Sequence, residues 1–461
     1  MRLCPLIRLV PAAVLAPLLL APSLFAQDTR SVAEPKFPAP CAVLDARLSA
    51  PDGSLPAAAE KRLDTARIQA AIDACAPDHA VELRASRSGN IFLTGPLQLR
   101  AGVTLLVDRN AILMASREPR LCDLAPGSCG VVDQRGHGCK PLILAEQAPG
   151  SGIMEDGAID GRGGARLPGR KLSWWDLAHI AQVRNLQQSC FRLVVVDRSD
   201  NFVLHRIRLR NSPSFHVLVE QSDGFTVWGV KISTPRTARN TDGIDPASSA
   251  NVAIVHSWIS DGDDDVAIKA GTAGPATHMA IADDHFYCGH GMSIGSETNG
   301  GVSAIRVRNL TIDGADNGIR IKSDSSRGGL VENVSYDDVC MRNVRNPILL
   351  TPHHTAKSGD LLPDYRDITL RDVHIVTPGR ITLDGLDRAD PLGLIFENVL
   401  IDGLRSQDIR AAYAQIALGP ALGNLVPAGD DVRVSFAPGS HRGTPPSCSF
   451  PDFPAAGPAA P

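Results

Sequence analysis

One pattern constrains this chain more than any other. Nine-residue windows aligned on apolar residues at positions 2, 4, 7 and 9 recur along it: NFVLHRIRL (201–209), GFTVWGVKI (224–232), NVAIVHSWI (251–259), HMAIADDHF (278–286), AIRVRNLTI (304–312) and NVSYDDVCM (333–341). DITLRDVHI (367–375) and GLIFENVLI (393–401) continue the series, with start-to-start spacings of 23, 27, 27, 26, 29, 34 and 26 residues. Each window reads as two short strands joined by a turn. After many of them comes a further short strand: FHVLVEQ, DGIDPAS, DDVAIKA, GMSIGSE, NGIRIKS or NPILLTP. A period of 20 to 50 residues with several strands per unit is the mark of a stacked solenoid. Such a coil buries its apolar face only against its neighbours. The expected fold is all-β, a right-handed parallel β-helix. A propeller fits less well, because its blades need longer antiparallel strands. Aromatic residues are only 4% of the chain, while Gly (41) and Pro (34) are plentiful, which suits many turns and a small-residue core.

The ends are different. Residues 1–26 read as a secretory signal: Arg2 and Arg8 form a basic start, Leu9–Ala21 is apolar, and Ala26 precedes the cleavage point. That apolar run is short of the roughly 20 residues that span a bilayer, and no later stretch qualifies. The expected product is secreted, with no membrane attachment. Losing the two arginines takes the formal charge from −4 to −6, which argues against nucleic acid as a partner. DTARIQAAIDAC (64–75) places Ile68, Ala71, Ile72 and Cys75 at helical spacing behind Asp64, a candidate N-cap. A short helix there would cap the N-terminal end of the solenoid. FLTGPLQLRAGVTLLVDRNAILMAS (92–116) fits two early coils. The solenoid is expected over 27–437, and the Pro/Ala/Gly-rich residues 438–461 as a tail without fixed structure, apart from any bond at Cys448.

The third strands carry the chemistry. Superposing Ile244, Val266, Met292 and Ile319 puts Asp242 over Asp264, then His290, then Asn317, with about 4.8 Å between coils. Asp263 is adjacent. Arg320 and Lys322 alternate with Ile319 and Ile321 and so face away from the core. One outer face runs from acid to base along the axis. Surface solvation does not explain why these groups fall on consecutive coils. Calcium prefers carboxylate oxygens, but His290, Arg320 and Lys322 are poor company for a cation. Crowded carboxyls that push one pKa upward suit acid–base chemistry, and glycoside hydrolysis uses one protonated and one ionised carboxyl.

NTDGIDP (240–246), GDDDVAIK (262–269), GHGMSIGSET (289–298) and NGIRIKSD (317–324) resemble the four signature segments of the polygalacturonase family of glycoside hydrolases. SCGVVDQRGHGC, GAIDGRGG, KLSWW and NSPSFHV extend the likeness, which is nearest to secreted endo-polygalacturonases of plant-pathogenic bacteria and covers roughly residues 35–400. The resemblance implies hydrolysis of α-1,4-linked galacturonan by inversion, with no metal or organic cofactor. It implies Asp263 as general acid, Asp242 and Asp264 as the pair that activates water, and His290 as the group that helps set the acid's protonation. It implies Arg320 and Lys322 as the grip on a galacturonate carboxylate, and Asn240 as a support. It also implies disulfides Cys41–Cys75 and Cys129–Cys139. The other mature cysteines stay unassigned, and their spacing lacks the tight pairs of a zinc site.

Two positions depart from the family. Asp265 follows the DD pair where a cysteine or asparagine is common; it either raises the acid's pKa further or faces solvent. His354 stands at the place of a substrate-stacking tyrosine. Lys269 points outward with Asp265 and is either a substrate contact or an ordinary surface lysine. Trp174 and Trp175 are a sugar platform or a buried coil-edge pair. Rival functions are exo action, a branched or rhamnose-containing pectin as substrate, calcium-dependent pectate lysis, and a non-enzymatic β-helical adhesin. The expected partner is an anionic pectic polysaccharide and the expected state a monomer.

Overall fold

The computed structural model describes residues 30–454 apart from 51–54 and 57. The export signal expected at 1–26 lies outside these residues. Among those described, 31 strands join one network of parallel ladders. The chain is a right-handed parallel β-helix. Each strand pairs with its equivalent one coil away: Phe202–His205 with Asp223–Trp228, that with Ala250–Val255, and that with Ala276–Cys288.

The repeat is written in its bends. The sixth position of all eight windows has a positive φ: Arg206, Gly229, His256, Asp283, Asn309, Asp338, Asp372 and Asn398. Five of these are Asn or Asp and one is Gly, the residues that tolerate the left-handed region best. This bend turns the chain from one face to the next while positions 2, 4 and 9 stay inside. The seventh position breaks the apolar pattern twice. Ser257 and Asp284 stand there, both buried, and Asp284 Oδ1 accepts the Ser257 backbone N–H at 2.6 Å.

The N-terminal end is covered by helix α1 (Thr65–Ala74), which buries Ile68 and Ile72. Asp64 occupies the N-cap position but caps no backbone N–H with its side chain; its carboxylate takes the Arg67 guanidinium instead, at 2.6 Å. Cys41–Cys75 fastens the end of α1 to the first strand, and Cys129–Cys139 closes a loop. A second helix, α2 (Trp174–Val183), starts at a Ser173–Asp176 capping box. Trp174 is buried there against Phe191. Trp175 lies over Gly163 and Gly164 with its indole N–H on the Ser212 carbonyl at 2.9 Å.

The C-terminal segment corrects the expectation of a tail without fixed structure. Residues up to 454 run back along the coils. Cys448 is bonded to Cys340, Tyr287 Oη donates to the Pro451 carbonyl at 2.8 Å, and Phe450 receives the Arg342 guanidinium 4.5 Å from its ring centre. Proline suits such a strap, because an extended segment outside a ladder needs no backbone donor. No helix among the described residues is long and apolar enough to cross a membrane.

Candidate active site

The ladder fixes the site. Ile244 pairs with Val266, Val266 with Met292, Met292 with Ile319, and Ile319 with Ile348. Asp242, Asp264, His290 and Asn317, each two residues upstream, therefore stand on successive coils. They occupy the corner where each coil enters this face. The outward residues of the strands beyond, including Asp245, Ser293, Arg320 and Lys322, form the floor.

Asp264 is the electrostatic hub. Ser293 Oγ and Arg320 Nη1 donate to its Oδ1 at 2.7 and 2.9 Å, and Lys322 Nζ to its Oδ2 at 2.6 Å. Burial pushes its carboxyl up, but Lys322 and then Arg320 outweigh that and hold it far below the usual range. The cations thus sit on the acid. The coils run from acid to base along the axis as expected, but the cationic heads do not stay on their own coil: the side chains are long enough to reach back across the coils to Asp264.

Asp263 faces outward more than its neighbours. Its side chain is 18% exposed, against 2% for Asp264 and 5% for Asp242. His290 Nδ1 lies 3.1 Å from Oδ1, and the Asn240 backbone N–H and side-chain amide donate to Oδ2 at 3.3 and 3.4 Å. Burial raises the Asp263 carboxyl, the His290 hydrogen bond lowers it, and the result is a carboxyl below its ordinary value.

Among the carboxyls expected to act on substrate, the raised one is Asp242. Burial, then the charges of Asp245 and Asp263, push it well above the carboxylate range. Asp245, fully buried, is raised to about 6 by the same burial despite Lys269. Crowding therefore splits the carboxyls, and of those expected to act on substrate Asp242 is the one pushed toward its protonated form. Lys269 is a partner of Asp245 and Asp242 and lies 4.4 Å from the centre of the Phe215 ring. It is built into the floor, with its side chain only 17% exposed.

For Asp265, one of the two alternatives falls away. It does not face solvent: it is fully buried, and its Oδ2 accepts the Gly291 N–H at 2.8 Å. His354 faces solvent at the rim, with its backbone N–H on the Ser323 carbonyl at 2.8 Å. The wall around its ring, then the Lys322 and Arg320 charges, draw its pKa down to about 4, so the imidazole is neutral near pH 7. Sequence reasoning passed over Asp245 and Ser293. Both alternate with core residues on the floor strands, and that parity was the available signal.

Asp263, Asp264 and His290 offer ligand atoms within 4.8 Å of one another. Both oxygens of Asp264 are already taken by Lys322, Arg320 and Ser293, which makes the trio a poor cation site. What the arrangement suits is proton transfer: one open carboxyl beside an imidazole, one carboxylate held ionised by two cations, and one carboxyl pushed up by burial and its acidic neighbours. Carboxyls split in this way on an open solenoid face define a glycoside hydrolase.

Comparison with known proteins narrows the class. Residues 84–416 match the sequence profile of glycosyl hydrolases family 28. The chain is 45% identical over 382 residues to an endo-polygalacturonase of Pectobacterium carotovorum subsp. carotovorum, covering 83% of this chain and 91% of that protein. It is 38% identical to a polygalacturonase of Ralstonia solanacearum, over 81% of this chain and 80% of the relative. The solved polygalacturonase of Erwinia carotovora ssp. carotovora superposes with a TM-score of 0.78 at 42% identity, covering 85% of this chain and all of that one. The chain belongs to glycosyl hydrolases family 28.

Proposed function

We propose that this protein hydrolyses α-1,4 bonds between galacturonate units within polygalacturonan chains, with inversion at the anomeric carbon. The observation that carries the reading is Asp263, the most open carboxyl of the cluster, placed between His290 and the ionised Asp264. The endo-polygalacturonase relative supports the substrate and the internal cut.

Asp263 protonates the glycosidic oxygen. In the free site it is ionised, so it must first take up a proton. A polyuronate chain lying over it adds negative charge and removes water, and both raise a carboxyl's pKa. His290, 3.1 Å away, is the group through which the proton arrives. Asp264, kept ionised by its two cations, deprotonates the attacking water, and Asp242 helps to hold that water in place. Arg320 gives Asp264 one N–H of its guanidinium, and Lys322 gives it one of its three. The donors left over receive a substrate carboxylate without releasing Asp264. Asn240 steadies Asp263, and neutral His354 contacts the neighbouring sugar. Lys269 acts beneath the substrate, through Asp245 and Asp242. No step calls for a metal or organic cofactor.

The chain works outside the cell as a monomer. Three disulfides among the described residues suit an oxidising compartment, in keeping with the export signal, and the groups named above all come from one chain. The test is incubation of the purified protein with polygalacturonate and a chelator. Reducing ends should rise without an ultraviolet-absorbing product, and mid-length oligomers should precede monomer. Chelator-sensitive ultraviolet absorbance would make it a lyase, and monomer from the start would make it exo-acting.

A further inference from the structure

Two carboxyls of the DGDDD turn have no part in the mechanism above. Asp261 and Asp265 are both fully buried. They lie on either side of Asp263 and Asp264 in sequence. Each spends one oxygen on the backbone of the site: Asp261 Oδ1 accepts the Asp263 N–H at 3.0 Å, and Asp265 Oδ2 accepts the Gly291 N–H at 2.8 Å. Asp261 thus shapes the turn that presents Asp263, and Asp265 holds the peptide that follows His290. Their other oxygens, Asp261 Oδ2 and Asp265 Oδ1, are buried without a partner.

The charge accounting of the site leaves them nothing. Lys322 and Arg320 are committed to Asp264, and Lys269 to Asp245 and Asp242. Among the described residues no ion pair reaches Asp261 or Asp265. The titratable groups packed around them are Asp242 on the preceding coil, Asp263 and Asp264 in the turn, Cys288 as the ladder partner of Asp261, and His290 on the next coil. Most of these neighbours are acids. The space is closed as well: a Cβ on Gly289 would lie 2.6 Å from Asp265 Oδ2, and one on Gly243 would lie 3.0 Å from Asp261 Oδ2. An ionised carboxylate here would be desolvated, unpaired and beside like charge, the costliest state a buried group can take.

We infer that Asp261 and Asp265 are kept as neutral carboxylic acids, and that this un-ionised state positions Asp263 and His290 for the reaction. Burial and the neighbouring carboxyls push both well above the carboxylate range, in line with the geometry. Asp265 is then no additional charge beside the acid but a neutral group with the shape of an asparagine. The two groups also give the enzyme an alkaline limit. Once either ionises, the new charge repels Asp263 and Asp264, and the turn must open.

The inference rests on the reading of Asp263 and His290 as the working pair, and its test has one arm that does not. Asp261→Asn and Asp265→Asn mimic the neutral acid; the alanine variants remove it. On polygalacturonate, each asparagine variant should keep kcat within about threefold of the parent at the optimum and retain activity further into alkaline pH. Each alanine variant should lose about tenfold or more in kcat with KM little changed, the signature of lost positioning rather than lost binding. Independently, infrared difference spectra at pH 7 should show one protonated-carboxyl band lost per asparagine substitution in the folded protein. Loss of activity in the asparagine variants equal to that in alanine, an unmoved alkaline limb, or no change in the protonated-carboxyl band would each overturn the inference. A parent inactive on polygalacturonate would instead remove the proposed substrate and leave the infrared result to decide the protonation.

Discussion

Replacing Lys322 by methionine separates two roles that the sequence alone merges. If Lys322 serves only to grip substrate, the variant binds worse and is otherwise unchanged. The structure predicts more, because Nζ sits 2.6 Å from Asp264 Oδ2 in a site where both side chains are over nine-tenths buried. Breaking a buried ion pair from one side costs about 3–5 kcal/mol when the remaining charge is left alone. Asp264 is not left alone: Arg320 and Ser293 still donate to Oδ1 at 2.9 and 2.7 Å. The expected destabilisation is therefore smaller, about 2–3 kcal/mol, within the range of one hydrogen bond to a charged group. Methionine conserves the length of the stem, so packing contributes little to the difference.

The pH dependence gives the sharper check. Asp264 is depressed in the folded state, so it contributes stability above the unfolded carboxylate pKa of about 3.9 and loses it as pH falls through the folded value. Lys322→Met moves that folded value up toward the unfolded one. The stability gap between parent and variant, from urea titrations, should then be largest near neutral pH and close below about pH 4. The acid limb of kcat/KM should shift to higher pH, since Asp264 must be ionised to act on water. At the optimum a loss of about 10- to 100-fold in kcat/KM is expected, equivalent to about 1.4–2.8 kcal/mol. A variant with the parent's urea midpoint and acid limb, changed only in KM, would refute Asp264 as the partner of Lys322 in solution.

Other consequences are direct. Asp263→Asn should lower kcat by at least about a hundredfold, the scale of general acid catalysis, while the urea midpoint holds, because this carboxyl is the least buried of the cluster; near-parental kcat would remove it as the acid. His216 is fully buried with its pKa lowered to about 4 by burial, Nε2 2.7 Å from Thr234 Oγ1 and Nδ1 facing the Thr241 and Asp242 carbonyls. The unfolded chain takes up that proton first, so His216 by itself subtracts up to ~1.4 kcal/mol of stability per pH unit between about pH 6.5 and 4, and the parent minus His216→Gln stability difference in urea titrations should shrink by that slope over this window. The Cys340–Cys448 bond closes a sequence separation of 108 residues, so the paired serine variant should lose about 2–4 kcal/mol and expose the 444–454 strap to protease; unchanged thermal and proteolytic profiles would show the strap to be held without it.

How much of this was legible follows from where side-chain direction is set by parity and where it is not. Within a strand, alternate residues face opposite sides, and a parallel ladder stacks equivalent positions. Ile244, Val266, Met292 and Ile319 were therefore enough to put Asp242, Asp264 and His290 on successive coils. Parity also sent Arg320 and Lys322 outward, but it carries no information about reach. A lysine or arginine stem spans more than one coil spacing, and the strongest nearby anion decides where the head goes. Here that anion is Asp264. Residues 262–265 of the DGDDD stretch lie between two strands, so alternation lapses there and the outward side that parity gives Asp265 does not hold. The Ser173–Asp176 box was visible in KLSWWD, and the aromatic pair drew attention from it. Residues 438–461 read by composition as tail, whereas Cys448, Phe450 and Phe453 are the residues that tether it.

The same stacking explains why such a site needs its own counter-charges. Equivalent positions on neighbouring coils lie about 4.8 Å apart, and no turn can separate Asp242 from Asp264 without breaking the ladder beneath them. At that distance two buried carboxylates cannot both ionise cheaply, and the chain resolves the conflict unequally. Asp264 receives two cations and a hydroxyl, and Asp242 receives one distant ammonium at 3.5 Å. The asymmetry lies in which coil Arg320 and Lys322 occupy: they come after Asp264 in the stack, on the side away from Asp242. Placing that RIK strand before Asp242 in the stack would instead bring its cations nearest Asp242 and reverse the difference between the two acids. The order of the motifs along the axis, and not only their presence, thus keeps one carboxyl ionised as a base and leaves another raised.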